Sequence, residues 1–300
     1  SLLSRRRFER EIDLVAGLRH PNIVSIHDSG VTGDGRMYFV MEYVDGLPLD
    51  QFAAKFKASG DTRVDLRELL GIFARVCDAV HHAHQCGVIH RDLKPGNILV
   101  DLKHEPRICD FGLAKATTDL GAGQTETHAM SITGQFMGSL PWSSPEQLEG
   151  SRAQVDVRSD IYSLGVMLYQ LLCGRHPFEL AVGIRQMFEY ITRVQPPRPS
   201  VVAKHLDDEL DIIALKCLAK APQDRYQSAA ELADDLRHYL AGEPIRAKRD
   251  SAWYTIRKTL RRYQIAAGLA MVILAVLALS LLVTVHSWRE AEQEATQRAA

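Results

Sequence analysis

No lysine occurs before Lys55, and no Gly-x-Gly-x-x-Gly pattern occurs anywhere in the 300 residues. The missing glycine pattern removes the sequence signature of a phosphate-cradling strand–turn–helix unit. Gly121-Ala122-Gly123 only imitates one, because no third glycine follows and no strand-like run precedes it. An excess of charge is lacking too: 36 Lys and Arg stand against 37 Asp and Glu, a formal net charge of -1. So balanced a chain gives no reason to expect a nucleic-acid partner. Cysteine is scarce and scattered, at Cys77, Cys86, Cys109, Cys173 and Cys217, never as Cys-x-x-Cys. That argues against disulfides and thiolate zinc and for reduced thiols in a cytosolic compartment. Cys109 lies in an apolar run and is expected to be buried rather than reactive. His81, His82 and His84 invite a metal reading, but no carboxylate or cysteine completes a ligand set at usable spacing.

What is present is enough for a full core. Hydrophobic residues make up 46% and charged residues 24%, ordinary for a globular chain of one large or two modest domains. One stretch departs from that average. Residues 265–285 carry no charge, and Ser280 and Thr284 are their only clearly polar members. As a helix this run spans roughly 30 Å, the thickness of a bilayer's hydrocarbon core. It is expected to be a transmembrane helix over 264–286. Arg246, Lys248, Arg249, Arg257, Lys258, Arg261 and Arg262 precede it against the single acid Asp250, while Glu290, Glu292 and Glu294 follow it. The positive-inside rule then puts the long N-terminal part in the cytoplasm, the protein being single-pass in the cell membrane. Trp253, Tyr254, Tyr263 and Trp288 bracket the run as interfacial aromatics. A homodimer formed through this helix is compatible with the sequence, which carries no motif for one.

The chain opens in a helical pattern that stops at His20-Pro21. Ile23-Val24-Ser25-Ile26 and residues 37–44 read as two strands joined through a glycine-rich turn, an antiparallel hairpin. Residues 66–86 form a helix with a broad apolar face, and Gly87 stops it. Then comes His90-Arg91-Asp92-Leu93-Lys94-Pro95-Gly96-Asn97, followed by the apolar Ile98-Leu99-Val100 and, further on, Asp110-Phe111-Gly112. A carboxylate, an ammonium and an amide within six residues suit phosphoryl transfer: the carboxylate orients or deprotonates a hydroxyl, the ammonium neutralises phosphate, and the amide ligates a hard cation. Residues 117–135 are polar and read as a loop carrying Thr125, Thr127, Ser131 and Thr133. Helical runs at 156–172, 210–218 and 229–240 complete a strand-rich beginning and a helical remainder, which suggests two lobes meeting near residues 45–49.

In this order the motifs resemble the eukaryotic-like serine/threonine protein kinases of bacteria, in their membrane-anchored form, over residues 1 to about 242. The resemblance implies an α+β, bilobal protein-kinase-like fold followed by one transmembrane helix. It divides the chain into a partial N-lobe (1–45), a helical C-lobe (46–242), a basic juxtamembrane segment (243–263), the membrane helix (264–286) and the start of an extracytoplasmic segment (287–300). It implies ATP and Mg²⁺ as cofactors and proteins as substrates. Asp92 would be the catalytic base and Lys94 the phosphate-neutralising lysine; Asn97 and Asp110 would be metal ligands. Glu11 resembles the helix glutamate that supports the nucleotide. Met41 resembles the residue behind the adenine, Glu42 and Val44 the backbone that bonds its edge, and Leu99 the floor beneath it. Lysine two residues after Asp92 is the serine/threonine form of this loop. Glu146, within Ser144-Pro145-Glu146, is expected to pair with Arg225, and Asp160 to brace the loop backbone. Arg91 would receive a phosphate added at Thr125, Thr127, Ser131 or Thr133. The family's glycine-rich loop and strand lysine lie before the position of Glu11 and are absent here. The expectation is therefore a fragment whose 300 residues alone transfer little phosphate. A catalytically weak scaffold of the same fold is the alternative.

Overall fold

A computed structural model describes residues 15–33, 37–58, 62–111, 139–150 and 155–248, and in addition 271, 273, 274, 276–284 and 288. The first strands, β1 (Ile26–Val31) and β2 (Met37–Met41), pair antiparallel. The hairpin is as expected, but its first strand begins three residues late. Ile23 and Val24 are buried and bridge to a different partner: Val24 N–H donates to the Ile108 carbonyl at 2.9 Å, and Ile108 N–H donates to that of Asn22 at 2.9 Å. Burial of Ile23 against the second sheet outweighs its place in a hairpin pattern. That second sheet is β3 (Gly46–Pro48), β4 (Ile98–Asp101) and β5 (Pro106–Ile108), antiparallel throughout. Gly46 is needed where it stands, since a Cβ there would lie 2.6 Å from the Val100 carbonyl oxygen.

Two helices follow the strands into the larger part. Helix α1 (Leu49–Ala58) leads to α2 (Thr62–Gln85), whose Leu69, Leu70, Ile72, Phe73, Val76, Ala79, Val80 and Ala83 are buried. The helix ends in a Schellman cap. Val88 N–H reaches the Ala83 carbonyl at 2.9 Å, Gly87 N–H reaches that of His84 at 3.0 Å, and Gly87 takes φ +78°. This cap aims Val88-Ile89-His90 back across the core.

The short helix α3 (Pro145–Leu148) precedes the central helix, α4 (Val157–Cys173). Asp156 caps the N-terminus of α4, and Gly174 ends it in the left-handed conformation at φ +72°. From Ser159 to Met167 every residue of α4 is buried, so the helix is surrounded rather than laid on a surface. Around it stand α5 (Ile184–Arg193), α6 (Pro199–Val202), α7 (Asp208–Cys217) and α8 (Ala229–Ala241), the last packed along α2. Gly165 lets α7 come close: a Cβ at that position would sit 2.4 Å from Cys217 Cβ.

The segment after residue 248 belongs to a separate unit. In it residues 276–284 are helical with exposed side chains. Among the described residues no helix is long and apolar enough to cross a membrane. Of the expected span, residues 264–270, 272, 275, 285 and 286 lie outside the described ones.

Candidate active site

The loop between α2 and β4 is held from below by one carboxylate. Asp160, fully buried on α4, accepts the His90 N–H (2.8 Å) and the Arg91 N–H (2.8 Å), and shares its Oδ2 with His84 Nε2 at 2.7 Å. Burial pushes its carboxyl pKa up, yet the His84 hydrogen bond and charge and the Arg91 N–H outweigh that and leave it below the usual value. The bond to Arg91 matters because this residue takes φ +64°, a left-handed conformation disfavoured for a side chain of its size. His90 holds the loop from its other side. Its Nδ1 accepts the Asp92 N–H at 3.4 Å while Nε2 donates to the Cys109 carbonyl at 3.1 Å, the pattern of a neutral imidazole. Burial lowers its pKa, consistent with that tautomer. Its ring rests against Phe111, centroids 4.5 Å apart.

On this support the polar side chains converge. Lys94 Nζ donates to Asp92 Oδ2 and to Ser139 Oγ, each at 2.9 Å. Asn97 Nδ2 donates to the Asp92 carbonyl at 2.9 Å and lies 3.4 Å from Asp92 Oδ2. A single 3-10 turn over Pro95–Asn97 brings Asn97 back under Asp92, and its backbone carbonyl accepts the Cys109 N–H at 2.9 Å. That bond ties the loop to the residue before Asp110. Burial raises the Asp92 carboxyl, but hydrogen bonds from Ser139 and Lys94 and the charge of Lys94 leave its pKa below the ordinary value. Asp92 is thus an ionised carboxylate at neutral pH, partly shielded and open on one side.

The residues fit a hard cation. Asn97 commits its amide nitrogen to the Asp92 carbonyl, so the oxygen is what remains to ligate. Asp110 is exposed, and φ +59° sets it at a sharp bend beside Phe111. One carboxylate and one amide oxygen, completed by phosphate and water, suit magnesium. Among the described residues no group of three or more His, Cys, Asp or Glu side chains is placed to hold a metal ion.

A second segment closes over the loop from the helical side. Glu146 and Arg225 form a buried two-pronged pair at 2.7 and 2.9 Å. All five Arg225 donors are used, the others on the carbonyls of Ala219, Arg158 and Lys220 at 2.8 to 2.9 Å. Ser159 Oγ adds a bond to Glu146 at 2.6 Å. Burial raises the Glu146 carboxyl, while Arg225 and Ser159 pull it below its usual value. Gln147 accepts the Ser144 N–H and donates to the Arg91 carbonyl, both at 2.9 Å, stitching this segment to the loop. His176 Nε2 and Ser163 Oγ hold the Pro141 and Trp142 carbonyls at 3.0 and 2.7 Å.

Sequence reasoning left three residues of this site unassigned. Ser139, His84 and Gln147 each act on a residue 45 to 76 positions away. The available signal was a hydroxyl closing the loop after residue 138, and a histidine six residues before His90. At the other side, Met41 ends β2, the Glu42 N–H donates to the Ser25 carbonyl at 3.0 Å, and Leu99 pairs with Pro48. The Glu42 side chain lies 3.7 Å from Arg107. Val44 is half-buried and Arg91 exposed. Glu11, Thr125, Thr127, Ser131 and Thr133 lie outside the described residues.

Comparison with known proteins agrees on the chain's kinship. The family described as Protein kinase domain matches residues 3–236. The serine/threonine-protein kinase PknB of Mycobacterium tuberculosis is 38% identical over 244 residues, 80% of this chain and 37% of that protein. PknB of Mycolicibacterium smegmatis is 40% identical over 233 residues, 77% of this chain and 35% of that protein. The chain thus spans a little over a third of the length of these curated relatives. Among solved structures, the Mycobacterium tuberculosis PknI kinase domain aligns with a TM-score of 0.57 and 31% identity over 78% of each chain.

Proposed function

The chain belongs to the protein kinase domain family, and from that premise we propose that it moves the terminal phosphoryl group of ATP to serine or threonine hydroxyls of proteins. The observation that carries this reading is the shared hydrogen bonding of Asp92, Lys94, Ser139 and Asn97 around one ionised carboxylate. Asp92 accepts the proton of an incoming hydroxyl and fixes its line of approach. Lys94, held between Asp92 and Ser139, offsets the negative charge that gathers on the phosphoryl oxygens. Asn97 and Asp110 would hold magnesium, which would supply charge cancellation along the phosphates. Phosphoryl transfer of this kind asks the protein mainly for position and charge, and the supports beneath the loop serve position. Incubating the complete protein with γ-labelled ATP and a mixed protein substrate tests the proposal. Label on serine and threonine supports it; sustained absence of label leaves a scaffold.

Two further readings extend it. Residues 264–286 are read as a membrane-spanning helix with the kinase on the cytoplasmic side. The helical, exposed and apolar residues 276–284 support this. So does the Thr284 hydroxyl, which donates to the Ser280 carbonyl at 2.8 Å and would present no unsatisfied donor to lipid. Extraction of the protein by alkaline carbonate in the absence of detergent would refute the span. Phosphorylation at Thr125, Thr127, Ser131 or Thr133 is read as the control, with Arg91 as the receiving cation. Mass spectrometry of ATP-treated active protein that finds all four unmodified removes this reading.

A further inference from the structure

Asp92 is set between two peptide units, and a carboxamide side chain holds the carbonyl of each. The Asp92 carbonyl accepts from Asn97 Nδ2 and the Arg91 carbonyl from Gln147 Nε2, both at 2.9 Å. Asn97 belongs to the loop itself, whereas Gln147 comes from α3, 56 positions away from Arg91. The Gln147 amide is committed at both ends. Its Oε1 accepts the Ser144 N–H at 2.9 Å and the Ser144 hydroxyl at 3.2 Å, as in a capping box, so the nitrogen is what faces the Arg91 carbonyl. The two sets of bonds agree on which end of the amide is which.

We propose that Gln147 is a positioning residue for phosphoryl transfer: by holding the Arg91 carbonyl it fixes the peptide unit from which Asp92 is aimed at the substrate hydroxyl. That unit is planar, so the Arg91 carbonyl and the Asp92 N–H turn together. On the N–H side the hold is long, 3.4 Å to His90 Nδ1, beyond the usual range for such a bond. On the carbonyl side Gln147 supplies a bond of ordinary length. The unit also starts from Arg91 at φ +64°. A left-handed arginine persists only where its surroundings over-determine it. Asp160 fixes the Arg91 N–H at 2.8 Å, and Gln147 fixes its carbonyl. Released from Gln147, the plane can rotate and carry the carboxylate with it, and a displacement of about 1 Å at a reacting group costs up to about a hundredfold in rate. Glutamine is the side chain this position needs. A glutamate accepts from Ser144 equally well, since capping boxes use either, but it offers the Arg91 carbonyl an oxygen instead of a donor. Ser139, at the start of the same segment, holds Lys94, so the segment that closes over the loop sets both the base and the lysine.

The proposal rests on the reading of Asp92 as the base, and one arm of its test needs no phosphate transfer. The complete protein is compared with its Gln147→Glu and Gln147→Met variants. Three quantities are read: kcat and KM for ATP, the urea midpoint, and hydrogen exchange over residues 88–94 by mass spectrometry. The glutamate keeps the acceptor for Ser144 and loses the donor; the methionine loses both. The expected result is a kcat roughly ten- to a hundredfold lower in both variants with KM for ATP unchanged, and faster exchange over residues 88–94 in both. The midpoint should hold in Gln147→Glu and fall in Gln147→Met, where the cap is lost as well. Parent-like kcat and exchange in Gln147→Glu overturn the proposal and leave Gln147 a helix cap. A kcat that falls only in step with the midpoint overturns it too. If the complete parent protein labels no serine or threonine, faster exchange in Gln147→Glu supports the tie and sinks the enzyme reading. Unchanged exchange sinks the tie, so the two fail separately.

Discussion

Replacing Asp160 by asparagine changes one atom and should cost a large part of the protein's stability. The carboxylate accepts from His84 Nε2 and His90 N–H through Oδ2 and from Arg91 N–H through Oδ1. An amide supplies one acceptor oxygen. Whichever way it turns, at least one backbone N–H then faces an NH₂ group in a fully buried setting. An unsatisfied buried donor costs about 1–3 kcal/mol, and losing the charge opposite His84 adds a similar amount. The sum is about 2–6 kcal/mol, a large share of the roughly 5–15 kcal/mol that holds a domain together. Urea unfolding followed by circular dichroism reads this as a fall in midpoint with unchanged slope. In a double-mutant cycle, His84→Ala should be coupled to Asp160→Asn by roughly 1 kcal/mol or more. A loss under about 0.5 kcal/mol with no coupling to His84 would refute the brace.

Other outcomes follow from the same packing. Gly165→Ala places a methyl 2.4 Å from Cys217 Cβ, so α4 and α7 must separate; a loss of about 1–3 kcal/mol is expected in the same denaturation, and an unchanged midpoint would contradict the close crossing. Arg225→Ala leaves Glu146 charged and buried and should cost about 3–5 kcal/mol, whereas Arg225→Met with Glu146→Leu should cost much less; equal losses would argue against the pair as a coupled unit. Burial lowers the pKa of His20, His90 and His176, so the unfolded chain binds more protons than the folded one just below the ordinary imidazole value. Their contribution is whole above about pH 6.5 and is lost as the pH falls from there through the lowered folded-state pKa values. Urea midpoints should be level from about pH 7 to 8 and drop toward pH 5.5; a midpoint that rises on acidification would show the sign to be wrong.

The loop of Asp92, Lys94 and Asn97 was legible because its side chains lie close together in the chain. Asp92, Lys94 and Asn97 fall within six residues, and a single 3-10 turn suffices to bring them together. The Glu146–Arg225 pair was legible only through family resemblance, since nothing between positions 146 and 225 signals contact. Ser139 and His84 went unassigned for a related reason: one serine and one histidine among several acquire their roles from α4 and the loop that meet them. The strand register near Ile23 misled because an isolated apolar pair fits a hairpin as well as a bridge to β5, and only the second sheet decides. A cavity behind Pro95 could not be read from the chain at all. Its walls come from α1, the loop and the end of α4.

The measurement that bears most directly on the central claim is the transfer rate of the complete protein carrying Asp92→Asn. An asparagine keeps the size and one oxygen of the side chain but cannot take a proton from the substrate hydroxyl. If Asp92 is the base, kcat should fall by roughly 10²–10⁴-fold while ATP affinity and the unfolding midpoint stay near those of the parent protein. A variant that folds, binds ATP and still transfers phosphate at the parent's rate would show that this loop is not where the chemistry occurs.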